Sequence, residues 1–114
     1  MKKMMFKIIM SEEAKLFVES LPQKASRKIY HNMYRVAGGE CNKELFKKLD
    51  NTDIWEFRTL YNKIAYRLFA FWDTDIDTLV VATHGIVKKT QKTPQKEIDK
   101  AENIMKNYFE NKGY

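Results

Sequence analysis

The sequence predicts an α+β fold: an antiparallel sheet covered on one face by an N-terminal helical hairpin, with a further helix at the C-terminal end. Three observations lead there. Two stretches of helical periodicity follow a short alternating segment, three segments rich in aromatic and branched residues then succeed one another across short polar breaks, and a last helical stripe comes after them. The order β, α, α, β, β, β, α, with no repeat, low-complexity tract or linker, fits one layer of sheet with helices packed on it. The 114 residues suit a single domain over 1–114, which at this size buries roughly two thirds of the surface its unfolded chain exposes.

Met4, Phe6 and Ile8 alternate with Lys3, Met5 and Lys7, which predicts a strand over residues 3–10. Ser11 before Glu12 and Glu13 offers a hydroxyl cap and acids at the positive end of a helix dipole. Ala14, Phe17, Val18 and Leu21 give that helix its apolar face. Pro22 stops it and suits the first position of a second helix, whose stripe is Ala25, Ile29, Met33 and Val36 or Ala37. Gly38-Gly39 closes that helix, and Arg27, Lys28 and Arg35 decorate it, either as a solvated face or as a direct RNA contact, with the first reading ahead. Residues 42–49 predict one or two further helical turns anchored by Leu45, Phe46 and Leu49.

Residues 53–60, 64–72 and 78–87 are then the strands of an antiparallel meander, joined by Tyr61-Asn62-Lys63 and by a turn at 73–77. Thr93 and Pro94 form an N-cap and first-position pair for a last helix marked by Ile98, Ala101, Met105 and Tyr108 and widened by Ile104 and Phe109. Its expected place is the edge or rim of the sheet.

Composition narrows the function classes. Hydrophobic residues at 44% exclude wholesale disorder. No run approaches the roughly 20 apolar residues of a membrane span, and residues 1–10 lack a signal-peptide core and cleavage site, so a cytoplasmic protein without a membrane partner is expected. The single Cys41 allows no intrachain disulfide and has no metal-ligand spacing. Net charge is +6, and its distribution matters more: residues 78–96 hold no acid and four lysines, 88, 89, 92 and 96. That local field favours an anionic partner.

A two- or four-residue loop between the second and third strands places Arg58 opposite Arg67, whereas a three-residue loop moves Arg67 off that face. Facing guanidiniums repel, so the pair makes sense with Glu56 between them or with a bound anion. Both remain open here: ion-paired sheet residues whose stems cover core, or two planar forks on a phosphate. Strict alternation lets Lys88, and not Lys89, share a face with His84, itself either a hydrogen-bonded structural residue or a proton carrier. Glu56, two residues from Arg58, is read as an orienting ion pair ahead of a general base. The region holds no His-x-x-x-His, paired Cys, carboxylate cluster or Gly-rich loop, a pattern that disfavours a metal-assisted nuclease.

Trp55-Glu56-Phe57-Arg58, Tyr66-Arg67-Leu68 and His84-Gly85-Ile86-Val87-Lys88-Lys89-Thr90-Gln91-Lys92-Thr93-Pro94, with the helix of Ile98 and Ala101 after them, resemble the phage-derived branch of the RelE/HigB-like toxins of type II toxin-antitoxin systems. One departure is Ile86, where the family has Phe, a change of packing rather than chemistry. The resemblance implies a RelE-like sheet whose uncovered, concave face is basic. It implies an mRNA endonuclease acting in the ribosomal A site without metal or other cofactor, and a cognate antitoxin, commonly a helix-turn-helix HigA-like protein. In such a reaction the ribose 2′-hydroxyl attacks the adjacent phosphate. Side-chain chemistry suits Arg58 and Arg67 to stabilising that charge and His84 to proton transfer, the resemblance carries a role over to Lys88 or Lys89 with the base left open, and Lys92 and Lys96 would hold flanking RNA or ribosomal RNA backbone. A ParE-like toxin that poisons a topoisomerase shares the fold and is the alternative. A non-catalytic RNA-binding module ranks last, because the aromatics sit in strand cores.

Overall fold

The computed structural model describes residues 5–76, 78–90 and 92–112. Its elements are β1 (Lys7–Met10), α1 (Glu12–Glu19), α2 (Gln23–Ala37), β2 (Phe46–Lys48), β3 (Trp55–Tyr61), β4 (Ile64–Trp72), β5 (Leu79–Lys88) and α3 (Gln95–Glu110). The sheet order is β1-β5-β4-β3-β2. β1 runs parallel to β5, and every other pairing is antiparallel. β1 and β2 therefore stand on opposite edges, roughly 19 Å apart at the spacing of neighbouring strands. The helical hairpin between them has to cross the whole sheet, which is why it covers a face.

Ser11 starts that crossing. Its side chain accepts a hydrogen bond from Ala14 N at 3.0 Å and donates one to Thr83 O at 2.6 Å, so one hydroxyl caps α1 and ties it to β5. The buried stripe of α1 and α2 is Ala14, Val18, Ala25, Ile29, Met33 and Val36, packed on Phe57, Leu68, Ala70, Val80 and Ala82. Gly39 ends the hairpin with φ 104, the left-handed conformation expected of the glycine pair. Phe6, Ile8 and Met10 face this core as the alternation predicts, while Lys3 and Met4 lie outside the described residues.

Three expectations are corrected. Residues 42–49 form no helix: Asn42 holds a turn through its side chain and carbonyl, and the chain then pairs with β3 as β2. Phe46 stacks on Trp55 and Phe57 at 4.7 and 4.4 Å, a cross-strand arrangement that outweighs the local helical spacing of the apolar residues. Thr93 does not cap α3; Pro94 stands at the N-cap, as Pro22 does for α2, and the Thr93 hydroxyl goes to Glu56 instead. Finally, α3 lies across the second face of the sheet rather than at its rim, burying Ile54, Phe69, Phe71 and Val81 with Ala101, Met105, Tyr108 and Phe109. β4 is apolar on both alternations because each face has its own helical cover.

The C-terminal end of α3 is tied down by a buried carboxylate. Asp73 accepts from Tyr108 Oη at 2.6 Å, from Lys112 Nζ at 2.7 Å, and from the amides of Asp75 and Ile76 at 2.8 and 3.1 Å. Burial pushes its carboxyl up, but the bonds from Lys112, Tyr108 and the two amides outweigh burial and hold it down at about 2. No helix of the described residues is long and apolar enough to cross a membrane.

Two outcomes test this packing. Because the Asp73 value lies below its unfolded value near 3.9, the stabilisation it contributes is present above pH 4 and is lost as pH falls towards 2. Acid titration of Asp73→Asn against the parent, followed by circular dichroism, should show the parent losing its advantage over that interval. At Gly85 an added Cβ would overlap the ring of Phe17 on α1. Gly85→Ala should lower stability by about 1–3 kcal/mol in urea titration; an unchanged midpoint would show that α1 shifts freely over β5.

Candidate active site

Asn62 and Lys63 take φ values of 52 and 66, the two-residue left-handed turn that matches the twist of a hairpin. The resulting register pairs Arg58 with Arg67, as an even loop requires. β5 joins through a bulge: Phe69 pairs with His84 but Ala70 with Ala82, which leaves Thr83 over. The extra residue reverses the alternation of everything after it. Val80 and Ala82 face the helical hairpin, whereas His84, Ile86 and Lys88 turn to the face of Arg67.

On that face α3 covers the end holding Phe69 and Phe71 and leaves the end holding the arginines open. Glu56 stands between them, with Oε1 3.5 Å from both Arg58 Nε and Arg67 Nε, and it is only 2% exposed. Its Oε2 accepts from the Thr93 hydroxyl at 3.3 Å. Arg67 is 8% exposed and donates from Nη1 to Tyr66 O at 3.1 Å, while Arg58 Nη1 donates to Lys43 O at 3.3 Å. Both Nε groups are buried and have no hydrogen-bond acceptor. Two guanidiniums, ten N–H donors in total, thus converge on one carboxylate with donor capacity unspent.

Burial lowers the Arg67 pKa, the Glu56 carboxylate opposes that shift, and the Arg58 charge adds to it. Arginine stays protonated across any working pH, so the site holds permanent positive charge. Lys88 is a different case. Burial and the neighbouring Arg67 lower its pKa; Glu56 pulls it back up, and Arg58 and Lys47 push it further down. A lysine in that setting carries more neutral amine near pH 7 than a solvated one.

The structure brings Arg58, Arg67, Glu56 and Lys88 together. It does not bring His84 to the open surface: the ring is 1% exposed, stacked on Phe69, with Nδ1 3.0 Å from Thr83 Oγ1 and Nε2 3.1 Å from Glu97 Oε1. Burial lowers its pKa despite the Glu97 hydrogen bond, and Lys100 lowers it further. Lys89 follows the end of β5 and is exposed; with Lys88, Ile86, Pro94, Lys96 and Glu97 it borders a shallow hollow of about 290 Å³. Lys92 is exposed and lies outside that hollow. Among the described residues no three His, Cys, Asp or Glu side chains converge as a metal-binding group.

Two contributors escaped sequence reasoning. Lys47 pairs with Glu56 across β2 and β3, and it was hidden by the helical reading of residues 42–49. Thr93 was hidden by its resemblance to a cap.

A family model described as Phage derived protein Gp49-like (DUF891) matches residues 17–106. Among solved structures, the chain is similar to one from the toxin-antitoxin complex RelBE2 of Mycobacterium tuberculosis, with a TM-score of 0.55 and 15% identity over 73% of this chain and 98% of that one. At that identity the likeness is one of fold, a RelE toxin fold, as the sequence led us to expect. No curated protein matches the sequence.

Glu56→Gln tests the central ion pairing. With the internal carboxylate gone, Arg67 is left buried beside Arg58 without a counter-charge, and stability should fall by about 3 kcal/mol in urea titration, with sulfate restoring part of it. A loss below about 1 kcal/mol without sulfate would mean that solvent already satisfies both guanidiniums.

Proposed function

This chain belongs to the phage-derived Gp49-like family, and on that premise we propose that it is the toxin of a type II toxin-antitoxin system, an endoribonuclease that cleaves messenger RNA on the ribosome without a metal. The observation that carries this reading is the convergence of Arg58 and Arg67 with Lys88 on one open face of the sheet. The fold it shares with a chain of the RelBE2 complex supports both the toxin assignment and a cognate antitoxin as partner; a HigA-like antitoxin with a helix-turn-helix domain is the form we propose for it.

In the proposed reaction the ribose 2′-oxygen forms a bond to the adjacent phosphorus as the bond to the departing 5′-oxygen breaks. Negative charge builds on the non-bridging oxygens. Arg58 and Arg67 meet that charge with preorganised N–H donors and need no reorganisation at the moment of reaction. Glu56 keeps the two forks apart and oriented. Lys88, as the free amine, takes the 2′-hydroxyl proton, and the departing oxygen is protonated by water. The amine role falls to Lys88 because its position and depressed pKa favour it, while His84 is committed to Thr83 and Glu97 beneath α3. Lys89, Lys92 and Lys96 hold the phosphates of flanking RNA, where binding weakens steeply with salt.

The test is induction of wild type and Arg67→Ala, followed by mapping of mRNA 5′ ends with and without translation. Codon-phased cuts that need both translation and Arg67 are expected; intact mRNA with DNA-damage signalling would instead identify a topoisomerase poison. Lys88→Arg keeps the charge but removes the titrating amine, so single-turnover cleavage should slow by about 10²–10³. The wild-type rate should climb with pH through the lowered lysine pKa, and this limb should be flat in Lys88→Arg.

A further inference from the structure

β2 pairs with β3 only as far as Phe57, so beyond Arg58 one edge of β3 runs free. There a cleft of about 510 Å³ opens between that edge and α2. Arg58 and Arg67 line it, so it is continuous with the site described above. From α2 come Lys28, Asn32 and Arg35; from the strands, Thr59, Leu60 and Ala65; and Glu44 is the one acid in the lining.

These residues differ in how far they are already satisfied. Arg35 is held by Glu40 through Nε at 2.9 Å and Nη2 at 2.5 Å. Lys28 has no ion pair among the described residues. Leu60 is 68% exposed, an apolar side chain standing in solvent beside Ala65 at the cleft wall. Asn32 is 4% exposed and donates from Nδ2 to Thr59 Oγ1 at 3.1 Å, while its buried Oδ1 has no partner.

We propose that this cleft seats the nucleotide next to the cleaved phosphodiester, with its phosphate on Lys28 and its base against Leu60 and Ala65. The inference rests on the assignment of Arg58 and Arg67 as the phosphate clamp. Lys28 and Leu60 are then binding residues beyond the reacting atoms. A nucleotide suits the cleft better than an acidic peptide because the lining combines a free cation with an apolar wall. A carboxylate-rich segment uses only the first of these.

The experiment measures binding of two non-cleavable RNAs with a 2′-deoxy group at the cleavage position: a dinucleotide carrying only the scissile phosphate, and a longer strand extending on both sides. Lys28→Glu and Leu60→Glu, the second at an exposed site where folding is indifferent, are compared with wild type, with Arg67→Ala and with the exposed Lys24→Glu on α2. Circular dichroism melts check that each variant is folded. Both cleft variants should weaken the longer strand by about tenfold or more relative to Lys24→Glu, leave the dinucleotide unaffected, and reduce the salt slope by about one for Lys28. If both bind the longer strand as Lys24→Glu does, the cleft holds no nucleotide and the inference is overturned, and loss of dinucleotide binding in Arg67→Ala would then show the clamp intact. If Arg67→Ala binds the dinucleotide as wild type does, the clamp fails and the inference falls with it. If Lys28→Glu weakens capture of a polyglutamate peptide but not of RNA, the cleft belongs to a protein partner and the inference is likewise overturned.

Discussion

The open face depends on a single surplus residue. At Thr83 the β4–β5 ladder slips by one, and without that slip His84, Ile86 and Lys88 would continue the alternation of Val80 and Ala82 into the helical hairpin. Lys88 would then lie on the face opposite Arg67, with no arginine beside it. Two groups of the extra residue find partners: the Thr83 hydroxyl donates to Phe69 O at 3.3 Å, and its carbonyl accepts from Ser11. Ser11 therefore links three things at once, the start of α1, its position over β5 and the polar accounting of the bulge. His84 serves the same locality from the other face, where it joins the bulge to Glu97 near the start of α3.

A buried carboxylate between two arginines is an uncertain source of stability, since desolvation of the charges offsets much of their attraction. Its clearer effect is geometric. Glu56 reaches one Nε of each arginine at 3.5 Å, too long for a strong hydrogen bond, so it orients the forks without saturating them. Thr93 adds a contact from the segment that leads into α3, and the tethers at Asp73 hold the far end of that helix. The helix is thus fixed at both ends over the apolar half of the face, and the cationic half is left without helical cover.

Local chemistry made much of this readable beforehand. Ser11 behaves as the cap its neighbours suggested, Gly39 takes the left-handed conformation, and the even loop at Asn62 and Lys63 yields the Arg58–Arg67 pairing that was conditional on it. What escaped depends on contacts distant in sequence. Residues 42–49 have helical spacing, and only the aromatic surface of β3 turns them into a strand. The bulge leaves no local signature, since Thr83 is an ordinary strand residue by composition. The face of α3 was misplaced for a related reason: two-sided burial of β4 was visible in its sequence, but which element supplied the second cover was not. His84 had a pKa suited to catalysis, yet only the three-dimensional packing shows both ring nitrogens occupied.

The protein carries its own substitute for a ligand. Any phosphate that reached Arg58 and Arg67 would meet guanidiniums already facing Glu56, so it would compete with an anion in place rather than fill an empty cationic trap. Competition of this kind penalises weakly binding anions more than strongly binding ones. Chloride or a lone carboxylate gains little by competing with a carboxylate that is already in place, whereas a group with several oxygens on one centre can use the donors that Glu56 leaves idle. An internal acid so placed would act as a filter on the anions that reach the two arginines.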